Sequence, residues 1–376
     1  MIFSISCKLP WKEASKRRKD QMEGKNSGVY LRNIGYDFIR FFATLMILCH
    51  HFCTTCEEKH IPYARFVRDL IQRGVIGWGK VGVGLFFILS GAVLWKSNQN
   101  EFSLKKYYSK RLLRLMVPQW VGFIIAFFVI FIFNGEIAYD IKNQYGICTF
   151  ASFMGFSYVS AFWRQFGLTW VWTVGEWFTA VIIFIYLCFP LLRCFFLKHR
   201  WITTAVIAAI FLINLNIQFL SYSNNFFSFT NGLLYFWLGM LFEEYKQYFN
   251  WKISLAAVVG VAVLFAVNPS AFFGVAYLPC FVMSVMLFIA LYNMKISNRF
   301  TQYICCYNYE IYLVHHRVFL VTMPFWLNSE SSWKQVLAAF LLLSGLTFLL
   351  AEQLQCASNG LLCFCRTIKE KQRAVP

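Results

Sequence analysis

Apolar residues fall along this chain in stretches of about twenty, divided by short polar or basic segments. Ten stretches can be drawn, at 34–53, 75–95, 115–133, 170–192, 201–220, 227–243, 253–267, 271–292, 302–326 and 334–354. Crossing the hydrocarbon core of a bilayer takes roughly 20 residues of helix. The pattern therefore predicts an all-α, polytopic membrane helical bundle of about ten transmembrane helices. Residues 1–33 are polar and basic and lack the apolar core of a signal peptide. They are expected to form a cytoplasmic tail, with a membrane domain over 34–355 and a second basic tail over 356–376. The longest break, Asn134 to Thr169, carries "ICTFASFMGFSYVSAFW". This string is aromatic but weakly apolar, which suits an interfacial or re-entrant piece.

Composition agrees. Hydrophobic residues make up 59% of the chain and charged residues 14%, against roughly 25% charged in soluble domains. The net charge of +18 invites a nucleic-acid partner, but its placement argues for none. With the N-terminus inside, 25 Lys and Arg fall in inner segments and seven in outer loops, while Arg40, Lys80 and Arg317 lie within spans. That is the positive-inside bias, and it puts both termini in the cytoplasm. The basicity then serves topology and contact with membrane lipid. Four of the seven outer cations, Lys59, Arg65, Arg68 and Arg73, crowd into one loop. The thirteen cysteines are scattered and read mainly as small core residues. Cys53, Cys56 and His60 form C-x2-C-x3-H without a second ligand pair, so a local disulfide, free thiols or no role at all is expected ahead of zinc.

The chemistry-bearing residues are those that an apolar span should exclude. Arg40 and His51 bracket "RFFATLMILCHH". Eleven residues at ~100° each bring them to within about 20° of one helix face, ~16 Å apart along the axis. Asp37 and Thr44 share the stripe and His50 lies off it. Glu176 falls in the fourth span, and Glu310, His315, His316 and Arg317 in the ninth. Each costs a few kcal/mol at membrane depth unless it is paired or lines a wet cavity. His51, Glu176 and His315 are expected toward the outer side; Asp37, Arg40, Arg111 and Arg114 toward the inner. Such a basic inner mouth with a titratable centre serves general-base catalysis toward a hydroxyl, fed by an anionic donor. It serves a proton relay in a transporter equally well.

The local strings add a resemblance. "IGYDFIRFFATLMILCHHF", with Arg40-x10-His51, resembles the first span of the membrane-bound acyltransferase 3 family. "VGVGLFFILSGAVLW" resembles its second span, and "YYSKRLLRLMVPQWV" its basic segment with Arg111-x2-Arg114. "TWVWTVGEWFTAVIIFIYLCFPLL" is similar to its Trp-x4-Glu segment, "FWLGMLFEE" to a Gly-centred helix, and "YNYEIYLVHHRVF" to its C-terminal Tyr-Leu-x-His region. The matches follow the family's order from about residue 34 to 325. Three positions depart from it: Gly84 stands where many members have Asp, Gly175 precedes Glu176 where many have a Glu pair, and Asn308 replaces a common Ser.

The resemblance implies an O-acyltransferase that moves an acyl group, often acetyl, from cytoplasmic acyl-CoA to a hydroxyl of an extracytoplasmic glycan. Acyl-CoA is then a co-substrate and no cofactor is bound. Carried over by position, His51 is the base and Arg40 the orienting cation at the donor, while Arg111 and Arg114 hold CoA phosphates. Glu176 supports His51, and His315, Trp172 and Tyr309 meet the acceptor. Trp170, Trp172 and Trp177 fit either a sugar platform or an aromatic belt. No nucleophilic Ser or Cys sits in a recognisable elbow, which favours direct transfer over an acyl-enzyme. A bacterial inner or plasma membrane is the expected location. The rival readings are a proton-coupled transporter or flippase of a glycan precursor, and an inactive structural subunit.

Overall fold

A computed structural model describes residues 33–62, 77–134, 150, 153–155, 174, 176–216, 229–267, 277–294 and 296–373. Nine helices hold nearly all of them: α1 (Ile34–Glu58), α2 (Trp78–Asn98), α3 (Leu104–Asn134), α4 (Glu176–Asn216), α5 (Phe229–Tyr245), α6 (Trp251–Val267), α7 (Tyr277–Tyr292), α8 (Arg299–Thr322) and α9 (Trp333–Arg373). The described residues include no strand. The segment at 135–149, most of 150–173, Trp170 and Trp172 lie outside the described residues, as do the N-terminal tail up to residue 32 and Arg65, Arg68 and Arg73.

Side-chain caps start several helices, because the first backbone N–H groups of a helix have no partner within it. Asn33 Oδ1 accepts from the backbone N of Gly35 at 3.0 Å and of Tyr36 at 3.4 Å. Asn298 and Thr301 close a reciprocal capping box on α8, and Asn250 caps α6. The break expected between 192 and 201 is a kink rather than a loop: two helical stretches of α4 meet there at the non-helical residue His199 (φ −137°, ψ 40°).

Five helical segments combine the length and the apolarity to cross a membrane: Ile34–Glu58, Trp78–Asn98, Leu104–Val129, Trp177–Asn214 and Trp333–Cys365. The apolar segments Trp251–Val267 and Leu278–Tyr292 are shorter. Seventeen residues of helix reach ~26 Å, less than the ~30 Å core. Helix α8 is long enough but carries Arg299, Glu310, two histidines and Arg317. The whole is a multi-pass membrane protein, and its outward faces are correspondingly apolar: Ile202, Leu341 and Leu349 all stand exposed.

Helix α2 is the hub. Its sequence is apolar on every side, the mark of a helix buried all round, and it packs against α1, α4, α5 and α7. Glycines set its closest crossing. A Cβ on Gly91 would strike the carbonyl oxygen of Phe236, and one on Gly239 would strike that of Ile88. Helices α2 and α5 thus meet backbone to backbone, as small residues permit in membranes. A second apolar cluster joins α1, α8 and α9 through residues such as Phe52, Phe319 and Leu343.

Contacts between helices set two chemically distinct ends: α1 runs parallel to α8, with Asp37 against Cys305 and His51 against His315, and antiparallel to α2, with Ile47 against Gly82 and His50 against Gly79. At one lie Asp37, Arg40, Arg111, Arg193, Arg200 and the α5 carboxylates. Glu243 binds the Tyr36 hydroxyl and, at 2.6 Å, Lys246. Glu244 binds Arg200 at 2.9 Å and the Trp95 indole N–H at 2.8 Å. At the other end lie His50, His51, Lys80 and His315 to Arg317.

Candidate functional site

The polar stripe on α1 faces inward. Arg40 is held by Asp37 one turn earlier, at 2.7 Å, with the carboxylate nearly buried and the guanidinium about a quarter exposed. The Sγ of Cys305 lies 2.9 Å from the backbone carbonyl of Asp37 and ties α8 to the same turn. The Thr44 hydroxyl, one turn further on, donates to the carbonyl of Arg40. Beyond it Thr44, Ile47 and Leu48 form one wall of a narrow cleft, with room for about one water molecule. Phe86 of α2 and Asn308, Ile311, Tyr312 and His315 of α8 form the rest. Positions 40, 44, 47, 48 and 51 follow the spacing of one helix face, so the cleft lies along the line from Arg40 to His51.

Four imidazoles close the far end. The His51 ring is 4.8 Å from His315, 4.9 Å from His316 and 5.3 Å from His50 between centroids. His315 is buried and His51 half-buried. The His50 ring fills the notch above Gly79, where a Cβ would collide with it. The carbonyl of His51 accepts from the hydroxyls of Thr54 and Thr55.

Of the residues expected in the site, His51 and His315 come together and Arg40 stands at the opposite end of the cleft. Arg111 and Arg114 lie in the first third of α3, at the Arg40 end of the bundle. Arg111 donates to Ser97 Oγ at 3.1 Å, and Arg114 is exposed. The Tyr309 hydroxyl donates to the carbonyl of Leu115 at 3.1 Å and joins α8 to α3. It sits on a different face of α8 from His315, six residues and about 120° away. Glu176 starts α4, and its side chain lies outside the described residues. Its neighbour Trp177 is buried against Phe87, 6.3 Å between ring centroids, rather than open to a sugar. Cys53 and Cys56 are buried free thiols, with Cys56 against Met323. No metal-holding group of His, Cys, Asp and Glu occurs among the described residues.

Tyr312 and Phe86 were missed by sequence reasoning. Both look like ordinary span residues, and only the crossing of α1, α2 and α8 brings them to the cleft. The departure at Gly84 has a physical counterpart. A Cβ there would come within 2.5 Å of Ser284 Oγ and 2.9 Å of the Tyr235 ring, so α7 and α5 occupy the room a carboxylate would need.

An internal cleft in a membrane helical bundle, with a paired arginine at one end and a histidine cluster at the other, defines an integral-membrane protein built for polar chemistry within the bilayer. A family model described as an acyltransferase domain matches residues 33–351, and the chain belongs to this family, acyltransferase 3. No curated protein and no solved structure matches the chain.

Proposed function

We propose that the protein transfers an acyl group, acetyl in the simplest case, from cytoplasmic acyl-CoA to a hydroxyl of an extracytoplasmic carbohydrate across an inner or plasma membrane. The observation that carries this reading is the cleft lying between Arg40 and His51. A charged donor stays at the basic end, and the acceptor meets the histidines at the other.

In this scheme His51 takes the proton of the acceptor hydroxyl as the oxygen attacks the thioester carbonyl. A C–O bond forms, the C–S bond breaks, and the proton passes from His51 to the departing thiolate, leaving CoA as a thiol. General-base help of this kind contributes about 10²–10⁴-fold. Arg40, fixed by Asp37, orients the donor, and Arg111 and Arg114 hold its phosphates by charge-assisted hydrogen bonds. Glu176, Trp172 and Tyr309 are acceptor-side candidates. The donor's arm is wider than the cleft, so its passage parts α8 from α1. Both termini lie in the cytoplasm, with about ten spans.

The test compares alkali-labile ester on the surface polysaccharide of wild-type cells, a deletion strain and His51→Ala at matched expression, read by NMR or mass spectrometry. Loss of the ester in both altered strains is expected. Loss in the deletion alone removes His51 from the chemistry. Unchanged ester in all three, with glycan export falling in the deletion, makes the protein a transporter instead.

A further inference from the structure

One side chain in the wall of the cleft stands apart from its neighbours. The Thr44 hydroxyl gives its hydrogen to the carbonyl of Arg40, at 2.9 Å. His315 Nδ1 lies against the carbonyls of Tyr312 and Ile311, at 2.8 and 3.2 Å, and the Tyr312 ring packs on Phe178, 5.1 Å between centroids. Asn308 lines the same cleft half-buried, and its side-chain amide makes no hydrogen bond among the described residues. An amide carries two N–H donors and a carbonyl acceptor. Holding these among apolar walls without a partner costs the fold, and a cleft with room for about one water molecule offers little hydration.

The place of Asn308 along the cleft limits what it could bind. Positions 308, 311, 312 and 315 share one face of α8. Seven residues of helix set Asn308 ~10 Å from His315, on the side of Cys305 and its contact with Asp37. His315 in turn lies beside His51, 4.8 Å between ring centroids. Consider an acyl-CoA whose thioester has reached His51. The hydrogen bond from the base to the attacking oxygen, and the bonds from there to the amide nearest sulfur in the pantetheine arm, together span ~10 Å. That amide comes level with Asn308. The oxyanion formed at the thioester carbon lies only ~4 Å from the base, which leaves it out of hydrogen-bonding reach of Asn308.

We propose that Asn308 is a donor-binding residue for the pantetheine arm of acyl-CoA. One of its N–H groups donates to the carbonyl oxygen of the amide nearest sulfur. This bond replaces the water that the arm's amide gives up on entering the cleft, and it satisfies the Asn308 amide at the same time. No covalent bond forms or breaks there. A thioester without an amide at this distance gains nothing from the residue, so the cleft selects donors that carry pantetheine. The inference rests on the reading of acyl-CoA as donor and is independent of which acceptor receives the acyl group.

Calorimetric titration of the full-length protein in nanodiscs tests this with two ligands. One is acetyl-CoA, and the other is an analogue with a trans carbon–carbon double bond in place of the amide nearest sulfur. Wild type is expected to bind acetyl-CoA about tenfold more tightly than the analogue, the effect of one buried hydrogen bond. Asn308→Ala should bind the two alike, and Asn308→Leu, of nearly the same size, serves if the Ala variant fails to fold. Equal affinities in wild type overturn the proposal, as does a preference that survives in the variant. In transfer assays the variant should raise KM for acetyl-CoA about tenfold with kcat within threefold of wild type. A fall in kcat at unchanged KM would make Asn308 a participant in the chemical step and overturn the proposal. The expected binding pattern in a protein that forms no ester sinks the proposed function and leaves the subsite standing. Ester formation by Asn308→Ala at the wild-type KM does the reverse, and a wild-type protein that binds no acetyl-CoA overturns both.

Discussion

A cation inside a membrane protein is held by its partner before it does anything else, and Arg40 shows how function and stability can be separated at one residue. Its 2.7 Å bond to Asp37 satisfies a carboxylate that is nearly buried. Arg40→Ala leaves that charge unpaired, which costs less than the ~3–5 kcal/mol of a fully buried pair because the guanidinium is partly exposed. Arg40→Ala is therefore expected to lower the melting temperature in detergent and to abolish ester formation. The double variant Asp37→Ala/Arg40→Ala should recover most of the stability and none of the activity. A double variant that regained transfer would remove Arg40 from the donor site. Arg40→Lys keeps the charge but loses the two-pronged geometry, and should raise KM for acyl-CoA more than it lowers kcat. The sequence spoke clearly at this scale about Arg40 and His51, whose eleven-residue spacing places them on one face. It was silent about Tyr312 and Phe86, which become site residues by the crossing of three helices. Trp177 shows the reverse: a motif residue whose side chain here is buried against Phe87.

Among the helices, the glycines divide into those that a neighbour forbids to change and those nothing restrains. Gly91 and Gly239 face each other's backbones across the α2–α5 crossing. Gly91→Val or Gly239→Val is expected to drive the hub helices apart and abolish folded yield, measured as the monodisperse fraction after detergent extraction. Gly345 and Gly360 on α9 have nothing within 4 Å of an added Cβ. Gly345→Ala and Gly360→Ala should be neutral or stabilising, by up to about 1 kcal/mol, because Ala is the better helix former. Gly84→Asp tests the departure from the family pattern. Ser284 and Tyr235 stand in the way, so the variant should lower folded yield, and adding Ser284→Gly should restore part of it. A Gly84→Asp protein as stable as wild type would show that the room is there. Helix positions were largely legible from the apolar stretches, since each expected stretch overlaps a helix. The joint at 193–200 was legible as a break but not as a kink. Two helical stretches meet there at His199, where Arg200 is held by Glu244 and lies 4.4 Å over the Phe196 ring.

For the molecule as a whole, the two unlike ends matter most. The described cysteines offer a direct check on orientation. Cys194, Cys356, Cys363 and Cys365 are exposed and belong to the Arg40 end, while the last turn of α1 beside the histidine cluster is open at Glu58. With both termini in the cytoplasm, a membrane-impermeant maleimide should modify those four cysteines in inside-out vesicles and not in intact cells. Glu58→Cys should show the opposite preference. The reverse pattern would invert the topology and with it the sides assigned to donor and acceptor. Much of this scale was determined by sequence alone. Long apolar stretches are satisfied in lipid as helices, and the surplus of Lys and Arg on alternate connections predicts the direction of insertion. The Arg40–His51 stripe is also a property of one helix, because helical periodicity makes it local. What the tertiary structure decided is everything that depends on two helices at once. The cleft between α1, α2 and α8, the meeting of His51 with His315 and His316, and the occupation of the space beside Gly84 by Ser284 and Tyr235 are of this kind. Periodicity says which face of a helix is polar, but packing between helices decides which faces meet. Residues like Phe86 and Tyr312, unremarkable in their own segments, take on a role only through that choice.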